Sequence, residues 1–458
     1  MADLAFTPTT KMLVDGKLVD ADDGITFDNV NPATEEVLGQ VPDASTPEMQ
    51  VGEAEQLREE LIAEVGSPRT LTYLAQLDGP LADALRYPAS LIDEFQWDRD
   101  MGTATMFGSI SQRAVWKEPI GVVGAITPWN YPFEVTINKI AQILATGNTT
   151  VLKPAPDTPW NATRLGRLVL EKTDIPPGVF NVVTSSDHMV GEELTLSPMV
   201  DMISFTGSTV TGKRIMSKGA ETLKRVFLEL GGKSAAIVLD DADFPSVVPM
   251  ASVVCMHAGQ GCAMQTRLLL PRSRCDEGIE LITLGMANFP YGDPQDPANM
   301  MGPLISAKQR NRVEGYIRTG IEEGARLVVG GGRPAHLPKG WFVEPTLFVD
   351  VDNSMTIARE EIFGPVLTVI PYDGDDDAVR IANDSGYGLS GAVASADHER
   401  AMSVARRIRT GSISINGGVW YGADMPYGGY KNSGIGRQNG IEGFEQYLET
   451  KIAAWPAQ

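Results

Sequence analysis

The chain has 458 residues, too many for one hydrophobic core, so two or three domains are expected. Apolar residues make up 43% and charged residues 21%, which excludes a disordered or fibrous protein. With 38 Lys and Arg against 59 Asp and Glu, the formal charge of −21 argues against nucleic acid or an acidic membrane as partner, while a local basic pocket for a single small anionic ligand such as a dinucleotide stays compatible with it.

The N-terminus, MADLAFTPTTKM, has no basic stretch followed by an apolar run, so no secretory signal is read there. No run of about 18 apolar residues offers a membrane-spanning helix. Three cysteines, Cys255, Cys262 and Cys275, are too few for a disulfide framework and fit a reducing compartment. A cytoplasmic globular protein is the expectation.

In chain order, short β-rich runs alternate with helix-like ones. Val122–Ile126 is followed by the apolar-periodic stretch Val135–Leu144, Thr149–Leu152 by Asn161–Glu171, and Val179–Thr184 by Val190–Leu196. Met202–Phe205 leads into Val210–Lys218, and Arg225–Leu230 closes the series. A second set runs from Ala235 to about Val419, with strands read at AAIVLD, ARLVVGG, VLTVIPY, SGAVAS and SISIN. This alternation predicts an α/β fold with a parallel sheet covered by helices on both faces, in two α/β domains. The turn after Asn416 and the run Tyr427–Gly440 are glycine-rich and read as long functional loops. An amphipathic stretch, Ile441–Tyr447, precedes a short final β segment at Lys451–Trp455.

Four segments carry residue types that suit chemistry. Cys262 lies in AGQGCAMQTR, opened by glycines and followed by a helix-compatible run. A thiol in the first turn of a helix has its pKa lowered by the dipole and the free amides. Cys255, in SVVCM, reads as a small buried hydrophobe and Cys275 as a surface or loop residue. Glu229, in FLELGGKS, follows an apolar strand and precedes two glycines, where a desolvated carboxylate suits a general base, though most Glu are solvated surface charges. Asn130, in the rigid turn TPWNYP, either caps the next helix or donates to an oxyanion, an interaction whose loss costs ~3 kcal/mol in acyl-transfer sites. FTGS, with Gly207 and Ser208, ends a strand and opens a helix, as a phosphate site or a plain cap. Gly-x-Gly-x-x-Gly is absent. Four histidines (His188, His257, His336, His398) and no Cys-x-x-Cys leave no expected metal site, and no histidine is marked by its neighbours as the base of a Cys–His hydrolase.

Taken together and in order, TPWNYP, VLKPAPDTP, FTGS, LELGGKS, GQGCAMQTR, EEIFGPV, NDSGYGLSGAV and PYGGYKNSGIGRQNG resemble the NAD(P)-dependent aldehyde dehydrogenase superfamily through almost the whole chain. The resemblance implies a Rossmann-type cofactor domain (1–100 and 118–230), an α/β catalytic domain (231–425) and a small β oligomerisation element (101–117 and 441–458), assembled as a homodimer or homotetramer. It implies Cys262 as nucleophile, Asn130 with the Cys262 amide as oxyanion donors, Glu229 as general base and Lys139 nearby. For NAD it implies Lys153 on the adenosine ribose, Ser208 with Gly207 at the pyrophosphate, Glu361 on the nicotinamide ribose, Phe363 beside the ring, and contacts from Thr127, Trp129 and position 156. Tyr131, Val135, Trp420, Tyr421 and Tyr427 are placed along the aldehyde tunnel. Such walls favour an uncharged aromatic or medium-chain aldehyde, whereas Glu134 and Asp424 would draw a cationic amino-aldehyde unless they face solvent.

Three departures stand out. Pro156 replaces the Glu that in NAD-selective relatives binds the ribose hydroxyls, which leaves NADP open. Gln438 replaces a Glu of the glycine-rich loop and cannot take a proton from Glu229. Between the segments like Asp43–Met49 and Leu57–Val65, relatives have two helices rich in Ala and Arg, where VGEAEQ here joins directly. Losing those helices is expected to uncover apolar surface of the cofactor domain at ~25 cal/mol for each Å² and to weaken it. The rival functions are a CoA-acylating aldehyde dehydrogenase, disfavoured by Glu229, a catalytically impaired binding protein on the same fold, and a cysteine hydrolase.

Overall fold

The computed structural model describes residues 8–20, 26–41 and 53–457. Asp43–Met49 and the Val51–Gly52 end of the shortened junction lie outside the described residues, and Glu53–Val65 begins the helical part.

Val122–Ile126 forms the middle of the first sheet. It pairs in parallel with Thr149–Lys153 on one side and with Met202–Thr206 on the other. Phe180–Val182 continues one flank and Arg225–Glu229 the other. The chain therefore winds outward both ways from Val122–Ile126, and the crevice beyond the carboxyl ends of these strands is where open α/β sheets bind ligands. Met202–Thr206 is buried throughout, as a strand covered on both faces must be. The expected helices appear as Pro132–Ala145, Trp160–Lys172, Met189–Leu196 and Thr209–Gly219.

The sheet is not purely parallel. Leu13 pairs antiparallel with Val182, and Gly434–Ile435, inside the glycine-rich loop, pairs antiparallel with Leu228–Glu229. Met12–Val14 and Lys17–Val19 form a hairpin that the sequence reading left out. Its turn, Asp15 and Gly16, has φ of 48° and 69°, the left-handed pair of a tight hairpin.

The second sheet runs Arg326–Val329, Thr346–Val349, Val366–Tyr372, Arg267–Pro271, Ala235–Val238, Gly391–Ala394 and Ser414–Ile415. Its strands are parallel except for the first pair, which is antiparallel. Arg267–Pro271 and Thr346–Val349 were not read from the sequence. Cys275 opens the helix Cys275–Ala287, half-buried, and is not a loop residue. Asp98–Met106, Ser109–Pro119 and Leu448–Pro456 make a separate three-stranded antiparallel sheet, with the last strand longer than the expected Lys451–Trp455. The stretch before it is the helix Gly440–Glu445. Among the described residues no helix is long and apolar enough to cross a membrane.

Candidate active site

A cavity of about 1370 Å³ opens beyond the carboxyl ends of the first sheet's strands and reaches the second sheet. Cys262, Glu229 and Asn130 all line it, as do Trp129, Gly207, Ser208, Glu361 and Phe363. Tyr131, Val135, Trp420, Tyr421 and Tyr427 line it too. Thr127, Lys139, Lys153 and Pro156 are not among its wall residues.

Cys262 is half-buried in a turn between Pro249–Gly259 and Arg267–Pro271. The expected helix after it does not form, so no helix dipole lowers its pKa. Burial pushes the thiol well above the ordinary cysteine value, and the charges of Glu229, Glu361 and Glu134 add to the rise. The hydroxyl of Tyr427, 3.4 Å from Sγ, acts in the opposite direction. Upstream, His257, Ala258 and Gly259 have φ of 54°, 53° and 70°. A Cβ on Gly259 would stand 2.0 Å from the Gly364 carbonyl oxygen, so only glycine fits there.

Asn130 is buried and does not cap the following helix, whose cap position belongs to Tyr131. Its Nδ2 donates to the Gln260 carbonyl at 2.8 Å, which leaves a second amide hydrogen for another acceptor. Its own carbonyl accepts from Gln76 Nε2 and from His257 Nε2, both at 2.8 Å. Since a carbonyl only accepts, His257 carries its proton on Nε2, and burial lowers its pKa to about 4. It is therefore a neutral donor here.

Glu229 ends the strand Arg225–Glu229, buried, with Oε1 lacking a partner. Burial raises its pKa to about 8, against the pull of Lys139. Lys139 itself is buried behind the cavity wall, donating to Ser204 Oγ at 3.2 Å, and its pKa falls to about 7 through burial. Gln438 lines the cavity with Oε1 unpartnered, and its backbone exchanges two hydrogen bonds of 2.6 Å with Tyr427.

At the other end of the cavity, Ser208 caps the helix Thr209–Gly219, its Oγ accepting from the Thr211 amide at 3.2 Å. Glu361 Oε1 accepts from the Gly232 amide at 2.9 Å, and a Cβ on Gly231 would meet Glu361 Oε2 at 2.2 Å. Phe363 meets Trp129 edge to face at 5.3 Å. Lys153 Nζ donates to the carbonyls of Pro154 and Ser185 at 3.3 and 3.4 Å, and Thr127 Oγ1 lies 3.3 Å from Thr136 Oγ1.

The aldehyde dehydrogenase family model matches residues 48–453. A provisionally named aldehyde dehydrogenase of Staphylococcus saprophyticus is 40% identical over 470 aligned residues, covering 97% of this chain and 98% of the relative. The chain belongs to the aldehyde dehydrogenase family. Its fold is that of solved members. An aldehyde dehydrogenase of Mycobacterium tuberculosis, crystallised with NAD+, matches with a TM-score of 0.91 and 42% identity over 99% of both chains. A Pseudomonas syringae aldehyde dehydrogenase with one cysteine changed to alanine, solved with NAD+ and octanal, matches at 0.90 and 37% over 98% of both. The general reaction is accordingly that of the family, oxidation of an aldehyde to its acid with a nicotinamide dinucleotide through a cysteine nucleophile.

Within this aldehyde dehydrogenase, the second acid that the sequence offered for a cationic substrate is exposed: Asp424 faces solvent, whereas Glu134 lines the cavity. Gln76 and His257 were missed because their place beside Asn130 comes from tertiary packing across 54 and 127 residues. These two donors hold the Asn130 peptide, so His257→Ala should lower kcat about tenfold with little change in the aldehyde KM. Steady-state kinetics with Gln76→Ala alongside checks this, and a change confined to KM would mean that the carbonyl needs no such anchoring.

Proposed function

We propose that Cys262 attacks the aldehyde, that Glu229 activates the water which releases the acid, and that NAD+ occupies the Ser208–Glu361 end of the cavity. The observation that carries this reading is the convergence of a thiol, a buried carboxylate with one unpaired oxygen and an asparagine amide on one cavity. The residues fit a dinucleotide. The N-terminal amides of Thr209–Gly219 suit a pyrophosphate, Gly207 leaves no room for a Cβ beside the Phe205 ring at 2.5 Å, and Glu361 presents a carboxylate for ribose hydroxyls. Lys153 would turn from its two carbonyls to the adenosine ribose, with Thr127, Trp129 and Pro156 nearby. Pro156 offers no carboxylate, but its neighbour Asp157 lines the cavity, which favours NAD+ over NADP+.

The Cys262 thiolate adds to the carbonyl carbon, and the oxyanion is held by the free amide hydrogen of Asn130 and the Cys262 backbone amide. The oxidised nicotinamide supplies the acceptor for the substrate's hydride. Loss of that hydride leaves a thioester on Cys262. Glu229 then takes a proton from water as it attacks the thioester carbon, and Cys262 departs as thiolate with the acid released. A buried carboxylate able to activate water favours hydrolysis over transfer to CoA.

In this reading 1–100 with 118–230 form the cofactor domain and 231–425 the catalytic domain, with Asn130 and Glu229 reaching the shared cavity from the first and Cys262 and Glu361 from the second. The open edges of the three-stranded sheet, with Ile452 exposed, join copies into a dimer or tetramer, which light scattering would test. The deciding assay follows formation of reduced nicotinamide from NAD+ and then NADP+ with aliphatic, aromatic and amino-aldehydes. Cys262-dependent reduction supports the reading, and its absence from folded protein overturns it. Because Gln438 cannot accept a proton, Gln438→Glu is expected to speed thioester hydrolysis near neutral pH by a few-fold and to alter the pH–rate curve. A superimposable curve would remove position 438 from the proton path.

A further inference from the structure

One acid in the cavity wall has no part in the chemistry above. Glu134 stands in the first turn of the helix Pro132–Ala145, 7% exposed. Its Oε1 accepts from the Tyr421 hydroxyl and from the Asn138 amide, and Asn138 also donates to Tyr421 at 2.9 Å. Its Oε2 accepts no hydrogen bond among the described residues, and it is not among the buried oxygens sealed without a partner. A carboxylate nine-tenths buried in the cavity wall thus keeps one oxygen without a hydrogen-bond partner.

The walls around it are aromatic. Trp420 and Tyr427 stack with centroids 5.5 Å apart and planes 5° from parallel, and Tyr421 meets them edge-on at 5.9 and 5.6 Å. Aromatic faces carry negative potential and attract cations. The cations of the cavity wall belong to its other end, where Arg312 donates to the Glu361 carbonyl at 2.8 Å and Lys308 lies near Asp157. Lys139 is behind the wall, bonded to Ser204. Burial raises the Glu134 pKa to about 7, against the hydrogen bonds from Tyr421 and Asn138 and the charge of Lys139, so a cation on the cavity side would further favour the ionised form.

We propose that Glu134 is a specificity-determining residue, and that the aromatic arm selects aldehydes whose far end is an alkylammonium group over hydrocarbons of the same shape. This rests on the reading of the cavity as the aldehyde site. Asp424 takes no part, being on the exposed surface.

The test compares kcat/KM for γ-trimethylammoniobutanal and for its neutral isostere, in which carbon replaces the quaternary nitrogen, at saturating NAD+. The wild type is expected to favour the cation by about tenfold or more, and Glu134→Gln to bring that ratio close to one. A wild-type ratio near one, or a ratio that survives Glu134→Gln, overturns the proposal. Should Glu134→Gln fail to fold, Glu134→Asp keeps the charge and should keep the preference, and its loss there counts against the role. Turnover of neither aldehyde also overturns the proposal, and the aldehyde panel above then decides separately whether the dehydrogenase reading stands. Calorimetric binding of butyltrimethylammonium to the Cys262→Ala protein then reads the charge selection independently. Binding weakened about tenfold by added Glu134→Gln supports it, and absent or unchanged binding overturns it.

Discussion

Cys262→Ala is expected to abolish aldehyde-dependent reduction of NAD+, by a factor on the order of 10⁴ or more, because no other nucleophile stands ready to take its place. Cys255 has no access to the cavity: it is fully buried, and its sulfur lies 3.5 Å from Met286 Sδ. Cys275 sits in a different helix, half-buried. The variant should remain folded, since Cys262 is only partly buried and removing one sulfur leaves only a small void. NAD+ binding followed by calorimetry should persist. Lost turnover with retained binding identifies the nucleophile, whereas activity in the alanine variant would transfer the role elsewhere.

Glu229→Gln should behave differently. Attack and hydride loss do not need the carboxylate, so a rapid-mixing experiment is expected to give one equivalent of reduced nicotinamide per site in a burst. Steady turnover should then fall by ~10²–10⁴, the usual worth of a general base. The sign of the pH effect follows from burial. Glu229 is a base only when ionised, and its pKa is raised to about 8, so wild-type hydrolysis should climb as pH rises through about 8. In Glu229→Gln that limb should vanish. A burst that disappears together with the steady rate would place Glu229 before hydride transfer.

Much of this site was legible because the first sheet's strands are short apolar runs punctuated by Gly and Pro, several of them leading into residues with chemistry to offer. Glu229 and the loop of Asn130 fall at such ends. Arg267–Pro271 is buried along its whole length and shows no alternation that would mark it as a strand. The environment of Cys262 was misjudged for a related reason. AMQTR contains good helix formers, but after the left-handed run His257–Gly259 the chain feeds directly into a strand, and tertiary pairing overrides local preference. The direction of the thiol's pKa shift reversed with it. Likewise Glu134 and Asp424 are alike as letters in a row. Only the packing of Pro132–Ala145, buried along nearly its whole length, separates the wall residue from the solvated one.

The carbonyl of Asn130 receives donors from Gln76 and His257, so three stretches widely separated along the chain meet at one oxygen. Each belongs to a different layer: the N-terminal helices, the loop above the first sheet and the approach to the second. Such a junction has no local precursor. It is assembled only when loops of 54 and 127 residues have closed, the slow and entropically costly kind of event in folding. Loosening any one of the three layers is therefore expected to disturb the Asn130 carbonyl while the helices and sheets elsewhere remain intact.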